Sequence, residues 1–177
     1  MSGSQLFTES FNRVHELVTG VVDGLSPEDL SRRVDAGANS IAWLVWHLSR
    51  VQDDHVAAAA ESLGLPSHIE QVWLADGFVR RFGLPFADTA TGYGQTSAEV
   101  AKVAGLSGSL LTEYHDAVHA QTVSFLESLS ADDYDVVVDD RWDPPVTLGV
   151  RLVSVIGDAT QHVGQAAFVR GIVERAR

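Results

Sequence analysis

Cysteine is absent from the 177 residues, which excludes disulfides, thiolate metal sites and a cysteine nucleophile together. Any thiol chemistry must draw its sulfur from a small molecule. Lysine occurs once, at Lys102, so a Schiff-base mechanism has a single poor starting point. Basic residues are scarce overall: 12 Lys and Arg stand against 24 Asp and Glu, a formal charge of −12. Without a basic face, neither phosphate neutralisation nor counterion release is available, so no nucleic acid and no anionic membrane is expected as a partner. Long apolar runs are missing too, none approaching the roughly 20 residues that a spanning helix needs. The opening Met-Ser-Gly-Ser-Gln has neither the basic start nor the apolar stretch of a signal peptide, and a cytoplasmic location is the expectation.

What is present is enough apolar material, 45% of the chain, for one domain over residues 1–177. Four segments carry a helical period. The first spans about 5–22, with Leu6, Phe7, Phe11, Val14, Leu17, Val18 and Val21 as its stripe. Ser26-Pro27-Glu28-Asp29 then starts a short capped turn. The second helix spans about 40–63, capped by Asn39 or Ser40 and stopped by Gly64-Leu65-Pro66. Residues 65–107 form a long connection broken by prolines and glycines, with short helical pieces near 69–81 and 97–104. The third helix spans about 107–129. A capped turn at 130–133, a brief extended stretch at 134–138 and a rigid loop at 139–145 follow. Thr147 caps a fourth helix that runs to about Glu174. The fold class predicted is all-α, a four-helix bundle with a long connection between the second and third helices. Trp43, Trp46, Trp73 and Trp142 are expected to be packing residues.

The chemistry-bearing pattern is Asp158-Ala-Thr-Gln-His162 on the last helix. Residues four apart lie one above the other on a helix, so a carboxylate and an imidazole can grip one ion from the same side. Both fall on the flank of the stripe of Leu148, Leu152, Val155, Ala159 and Val163, and so face the bundle or its mouth. His47, at the edge of the Leu44–Leu48–Val51 face, supplies a third donor. Two imidazoles and a carboxylate suit a divalent metal ion: zinc first, with nickel, iron and manganese open. Three protein ligands leave coordination positions for water or substrate, the catalytic arrangement. A rival pair with the same spacing is His115 and His119 on the third helix. His55, His115 and Arg151 are the candidates for proton transfer or for handling a second substrate. Arg151 is placed on the Asp158 face, where it needs that carboxylate or an anionic substrate as partner. Arg80, Arg81 and Asp54 are the candidate substrate-binding residues.

These residues carry a resemblance. Asn39-Ser-Ile-Ala-Trp-Leu-Val-Trp-His47-Leu, followed far downstream by Asp158-Ala-Thr-Gln-His162-Val-Gly-Gln165, resembles the DinB/YfiT-like superfamily. More narrowly it is similar to the actinobacterial members related to mycothiol-dependent maleylpyruvate isomerase and thiol transferases. The resemblance implies a four-helix bundle, a homodimer, and a metal held by residues matching His47, Asp158 and His162. Many relatives carry histidine where this chain has Asp158; the maleylpyruvate isomerase branch carries an acidic residue. The activity implied is S-transfer or isomerisation with a small-molecule thiol, mycothiol, acting on an electrophilic small molecule. A metal-dependent hydrolase and a non-enzymatic, stress-associated metal-binding dimer stand as alternatives.

Overall fold

The computed structural model describes residues 1–64 and 69–176. Helix α1 (Gly3–Val22) opens on a capping box in which Ser2 and Gln5 satisfy each other's backbone N–H groups. Its buried stripe is narrower than the periodicity predicts: Phe11, Val14, Val18 and Val21 are buried, while Leu6 and Leu17 stay in water. The short α2 (Pro27–Ser31) has the predicted Ser26 cap and Pro27 start. Helix α3 (Ile41–Ser62) is capped by Ser40, whose hydroxyl accepts from the Trp43 N–H at 3.2 Å. Leu65 and Pro66, the remainder of its predicted stop, lie outside the described residues.

The connection splits the predicted 69–81 piece into α4 (Val72–Ala75) and α5 (Phe78–Phe82), because Gly77 adopts a left-handed φ of 70° between them. Helix α6 (Ser97–Val100) is one turn long. Helix α7 (Gly108–Ser128) follows the Ser107 cap. A 3-10 turn at Asp132–Asp135 takes up the start of the segment expected to be extended. Strands β1 (Val137–Asp139) and β2 (Val146–Thr147) pair antiparallel, with Val137 opposite Thr147 and Asp139 opposite Val146. Helix α8 (Leu148–Arg175) is the longest, at 28 residues. Thr147 occupies its cap position, but its side chain makes no capping bond, a departure from expectation.

The four long helices bury their stripes against one another, α3 chiefly on α8 and α7, and α1 on α7 and α8. This is the all-α bundle predicted. One apolar cluster gathers Val18, Leu44, Trp46, Tyr114 and Val163; a second gathers Phe11, Val56, Phe125, Leu148 and Leu152 at the other end. Trp43, Trp46 and Trp73 are packed, but Trp142 is 65% exposed on the 139–145 loop, correcting its assignment as a packing residue.

The interior holds a buried ion pair, Arg50 with Asp53, both fully buried on α3. Asp53 accepts the N–H groups of Val72 and Trp73 at 2.9 Å each, the Tyr114 hydroxyl at 2.9 Å and Arg50 at 3.3 Å. Arg50 in turn donates to the Ala90 carbonyl at 3.1 Å and to Gln71 at 2.9 Å, and lies over the Trp73 ring. The pair therefore ties the long connection to α3 at two points, residues 71–73 and Ala90. Truncating one member of a buried ion pair strands the other charge, so Asp53→Ala should lower unfolding stability by about 3–5 kcal/mol in urea titrations. A loss under about 1 kcal/mol, the scale of a surface pair, would contradict this account.

Candidate metal centre

His47, Asp158 and His162 converge. One donor atom from each lies within 4.8 Å of the other two, and no other group of three or more such side chains among the described residues does so. The rings of His47 and His162 sit 4.7 Å apart, nearly edge to face. His47 is 5% exposed; the side chains of His162 and Asp158 are 18% and 31% exposed, so the cluster opens to solvent on the α8 side.

Backbone carbonyls set both imidazole tautomers. A carbonyl only accepts, so His47 must carry its proton on Nδ1, donating to Thr91 at 2.6 Å. His162 Nδ1 likewise donates to the Asp158 carbonyl at 2.8 Å. Each ring is left with Nε2 as its lone-pair donor, the arrangement in which metal-ligating histidines are oriented by a carbonyl behind them. Asp158 Oδ2 lies 3.3 Å from His162 Nδ1. The single Nδ1 proton already points to the carbonyl, so this oxygen is a neighbour in charge without being a hydrogen-bond acceptor. It is buried and accepts no hydrogen bond among the described residues. A buried anionic oxygen without a donor is costly, and a cation between it and the imidazoles removes that cost. The donor set therefore fits a divalent ion, held by His47, Asp158 and His162.

The electrostatics point the same way. Burial holds the His47 pKa down, outweighing the Thr91 carbonyl that raises it. The Asp158 carboxylate beside His162 raises that imidazole's pKa. Burial pushes Asp158 itself up, but His162, His47 and His55 together bring it below its usual range.

The wall around His47 includes residues that spacing does not reveal. Trp43 stacks on His47 at 4.6 Å and tilts toward His162 at 6.3 Å. Gly92, with φ at 95°, packs so closely that a Cβ there would come within 2.8 Å of His47 Nδ1 and 3.0 Å of Trp46. The only sequence signal was the glycine itself, which reads as a chain breaker without naming what it approaches.

The other predicted residues divide. His55 lies on α3 more than two turns beyond His47; burial holds its pKa down, with Arg151 acting the same way and Asp54, Asp158 and Asp139 opposing. Arg151 does not pair with Asp158 as expected; its Nη2 donates to Asp139 of β1 at 2.7 Å, and Arg141 grips the same carboxylate with two bonds of 2.9 Å. The hairpin brings Asp139 to the start of α8, which is why this partner was out of reach of helix-face reasoning. Asp54 accepts from Gln71 at 2.9 Å.

His115 is not brought to the triad. Its Nδ1 donates to Ser49 Oγ at 3.0 Å, since the Ser49 hydroxyl proton is committed to the Val45 carbonyl. Ser49 is two residues from His47 and so points to the opposite side of α3. Burial holds the His115 pKa to about 3, leaving it neutral. The rival pair, His115 and His119, belongs to no group of three or more metal-capable side chains among the described residues. Instead His15 stacks on His119 at 4.4 Å and on His115 at 5.8 Å, with planes within 17° of parallel. Arg81 pairs with Glu113 and lies over Phe78, and exposed Arg80 curls back over Gly77. Neither contacts the triad.

A sequence profile described as the DinB superfamily matches residues 10–166. The fold is similar to the crystal structure of a conserved protein from Enterococcus faecalis, with a TM-score of 0.86 and 32% identity over 98% of each chain. No curated protein matches the chain. No helix among the described residues is long and apolar enough to cross a membrane.

In the metal-free protein, protonated His162 paired with Asp158 contributes stability below the ordinary imidazole value, and this is lost as pH rises through the raised one. A metal ion must displace that proton. The rise in Tm on adding zinc should therefore be larger at pH 8 than at pH 6 at equal free metal, measured by differential scanning fluorimetry. Equal shifts at both pH values would contradict the assignment.

Proposed function

Because the chain belongs to the DinB superfamily, we propose that it is a divalent-metal-dependent enzyme using a small-molecule thiol, of the mycothiol class, for S-transfer or isomerisation of an electrophile. The observation that carries the reading is the clustering of two carbonyl-oriented imidazoles with the Asp158 carboxylate, one donor atom of each within 4.8 Å of the others. The absence of cysteine is consistent with a borrowed sulfur. A divalent ion, zinc foremost, supplies the chemistry of lowering a coordinated thiol's pKa so that thiolate is present at neutral pH.

The chain's own residues then have distinct work. His47 and His162 would hold the ion through Nε2, and Asp158 would offset part of its charge. Burial holds the His55 pKa down, so this imidazole would serve as a neutral base toward the thiol's proton. Arg151 is engaged with Asp139 through Nη2 alone among the described residues, so its fork retains donors for a carboxylate on the electrophile. The setting is a cytoplasmic homodimer, for which Val150, Val153 and Phe168, exposed on α8, give an apolar surface.

His162→Ala should abolish stoichiometric metal uptake in elemental analysis. The cobalt-substituted parent should develop a sulfur-to-metal charge-transfer band on titration with mycothiol. A cobalt protein whose spectrum ignores the thiol would overturn the thiol reading while leaving the metal site standing.

A further inference from the structure

Three imidazoles meet where α1 packs on α7, on the side of α3 that faces away from the metal centre. His15 of α1 stacks on His119 at 4.4 Å and on His115 at 5.8 Å, with ring planes 15° and 17° from parallel. Asp116 of α7, itself half exposed, places Oδ1 2.7 Å from His15 Nε2. From α3 the uncharged Ser49 hydroxyl lies 3.0 Å from His115 Nδ1. The charges acting on His115 are those of His15 and His119; those acting on His119 are His15 and Asp116. One carboxylate therefore serves three rings.

Neither α7 ring has an acceptor waiting for an added proton. The Ser49 hydroxyl gives its proton to the Val45 carbonyl, so His115 Nδ1 is the donor and Nε2 carries the lone pair. That Nε2 is buried with no hydrogen-bond partner among the described residues, and so is His119 Nδ1. Charging either ring in place would leave a buried N–H unmatched and set a cation beside two further imidazoles. Burial accordingly holds the His115 pKa to about 3 and holds that of His119 down as well. Asp116 can balance one proton, on His15, and no second. Neutral rings stack as flat faces, whereas charged ones at this separation repel.

We propose that the His15–His119–His115 stack is an acid-opened joint: while neutral the rings hold α1 to α7, and mild acid parts the two helices at this seam. It uses none of the metal ligands. Opening exposes the rings to water, where an imidazole takes up a proton near its ordinary value of about 6.5. A ring whose closed-state value is depressed binds more protons open than closed. The stability it contributes is therefore full above about 6.5 and is lost as pH falls below it. Between pH 7.5 and pH 5.5 the open fraction rises about tenfold for each ring that gains a proton on opening. Helix α3, which packs chiefly on α8, stays in place.

The test is hydrogen exchange of the full-length protein at pH 7.5 and pH 5.5, read by mass spectrometry and corrected for the intrinsic exchange rate. Peptides covering 11–18 and 112–119 should lose about ten- to a hundredfold in protection at the lower pH, more than any peptide of α3 or α8. His119→Phe keeps a stacking ring and His115→Asn keeps an N–H for Ser49, and neither new side chain takes up a proton. Each variant should reduce the acid effect by about tenfold. Each is read against its own value at pH 7.5, so a change in baseline stability does not enter, and either variant alone decides. Loss spread evenly over the four long helices overturns the proposal, as does an acid effect equal in parent and variant. A His115 Cε1–H proton resonance that titrates near pH 6.5 in the folded parent also overturns it, because a ring that gains its proton in place has no need to open.

Discussion

The buried pair of Arg50 and Asp53 is the interaction on which the rest of the molecule depends. Two charges taken out of water cost more than their mutual attraction returns unless further hydrogen bonds are made. Here they are made by the connection between α3 and α7: Val72 and Trp73 donate to Asp53, and Ala90 and Gln71 accept from Arg50. A segment short of helix is thereby fixed to the helix that carries His47. The consequence reaches the candidate site directly, because Ala90 is followed by Thr91, whose carbonyl orients the His47 ring, and by Gly92, which packs behind it. A solvated arginine in place of Arg50 would leave that loop without its anchor.

The site inherits this rigidity on one side and solvent access on the other. His47 comes from a helix buried on nearly all faces, whereas Asp158 and His162 sit on the outer flank of α8. The i, i+4 spacing also lets His162 satisfy its Nδ1 on the carbonyl of Asp158, so one turn of helix both presents two donors and fixes the tautomer of one. What the described residues do not supply is a hydrogen-bond donor for Asp158 Oδ2. The site is therefore complete as a scaffold and unbalanced in charge, a state that a proton relieves in part and a divalent ion relieves more fully.

Much of this was legible in the sequence, and the boundary between what was and was not is physical. Helical periodicity located the four long helices because each buries one stripe, and the flank positions of His47, Asp158 and His162 followed from the same arithmetic. Local caps were readable for Ser26 and, with Asn39 as the alternative, for Ser40, where the partner is three residues away. Contacts that depend on the path of the connection were not: Asp139 reaching Arg151 through the small hairpin, Thr91 behind His47, and Gln71 bridging Arg50 to Asp54. Asp53 and Arg50 look like ordinary surface charges by residue type, and only tertiary packing buries them. His115 was misleading for the opposite reason. Its inward position was correctly expected, but inward on α7 means against Ser49 and His15, on the side of α3 that faces away from the triad.

The central claim is that one ion bridges α3 and α8 through these three side chains. The most direct measurement is anomalous diffraction at the metal edge from crystals of the full chain grown with stoichiometric zinc. The account predicts a single strong peak about 2.0–2.2 Å from His47 Nε2, His162 Nε2 and an Asp158 carboxylate oxygen. A peak at other side chains, or none beside these three in crystals whose protein had taken up the metal, would contradict it.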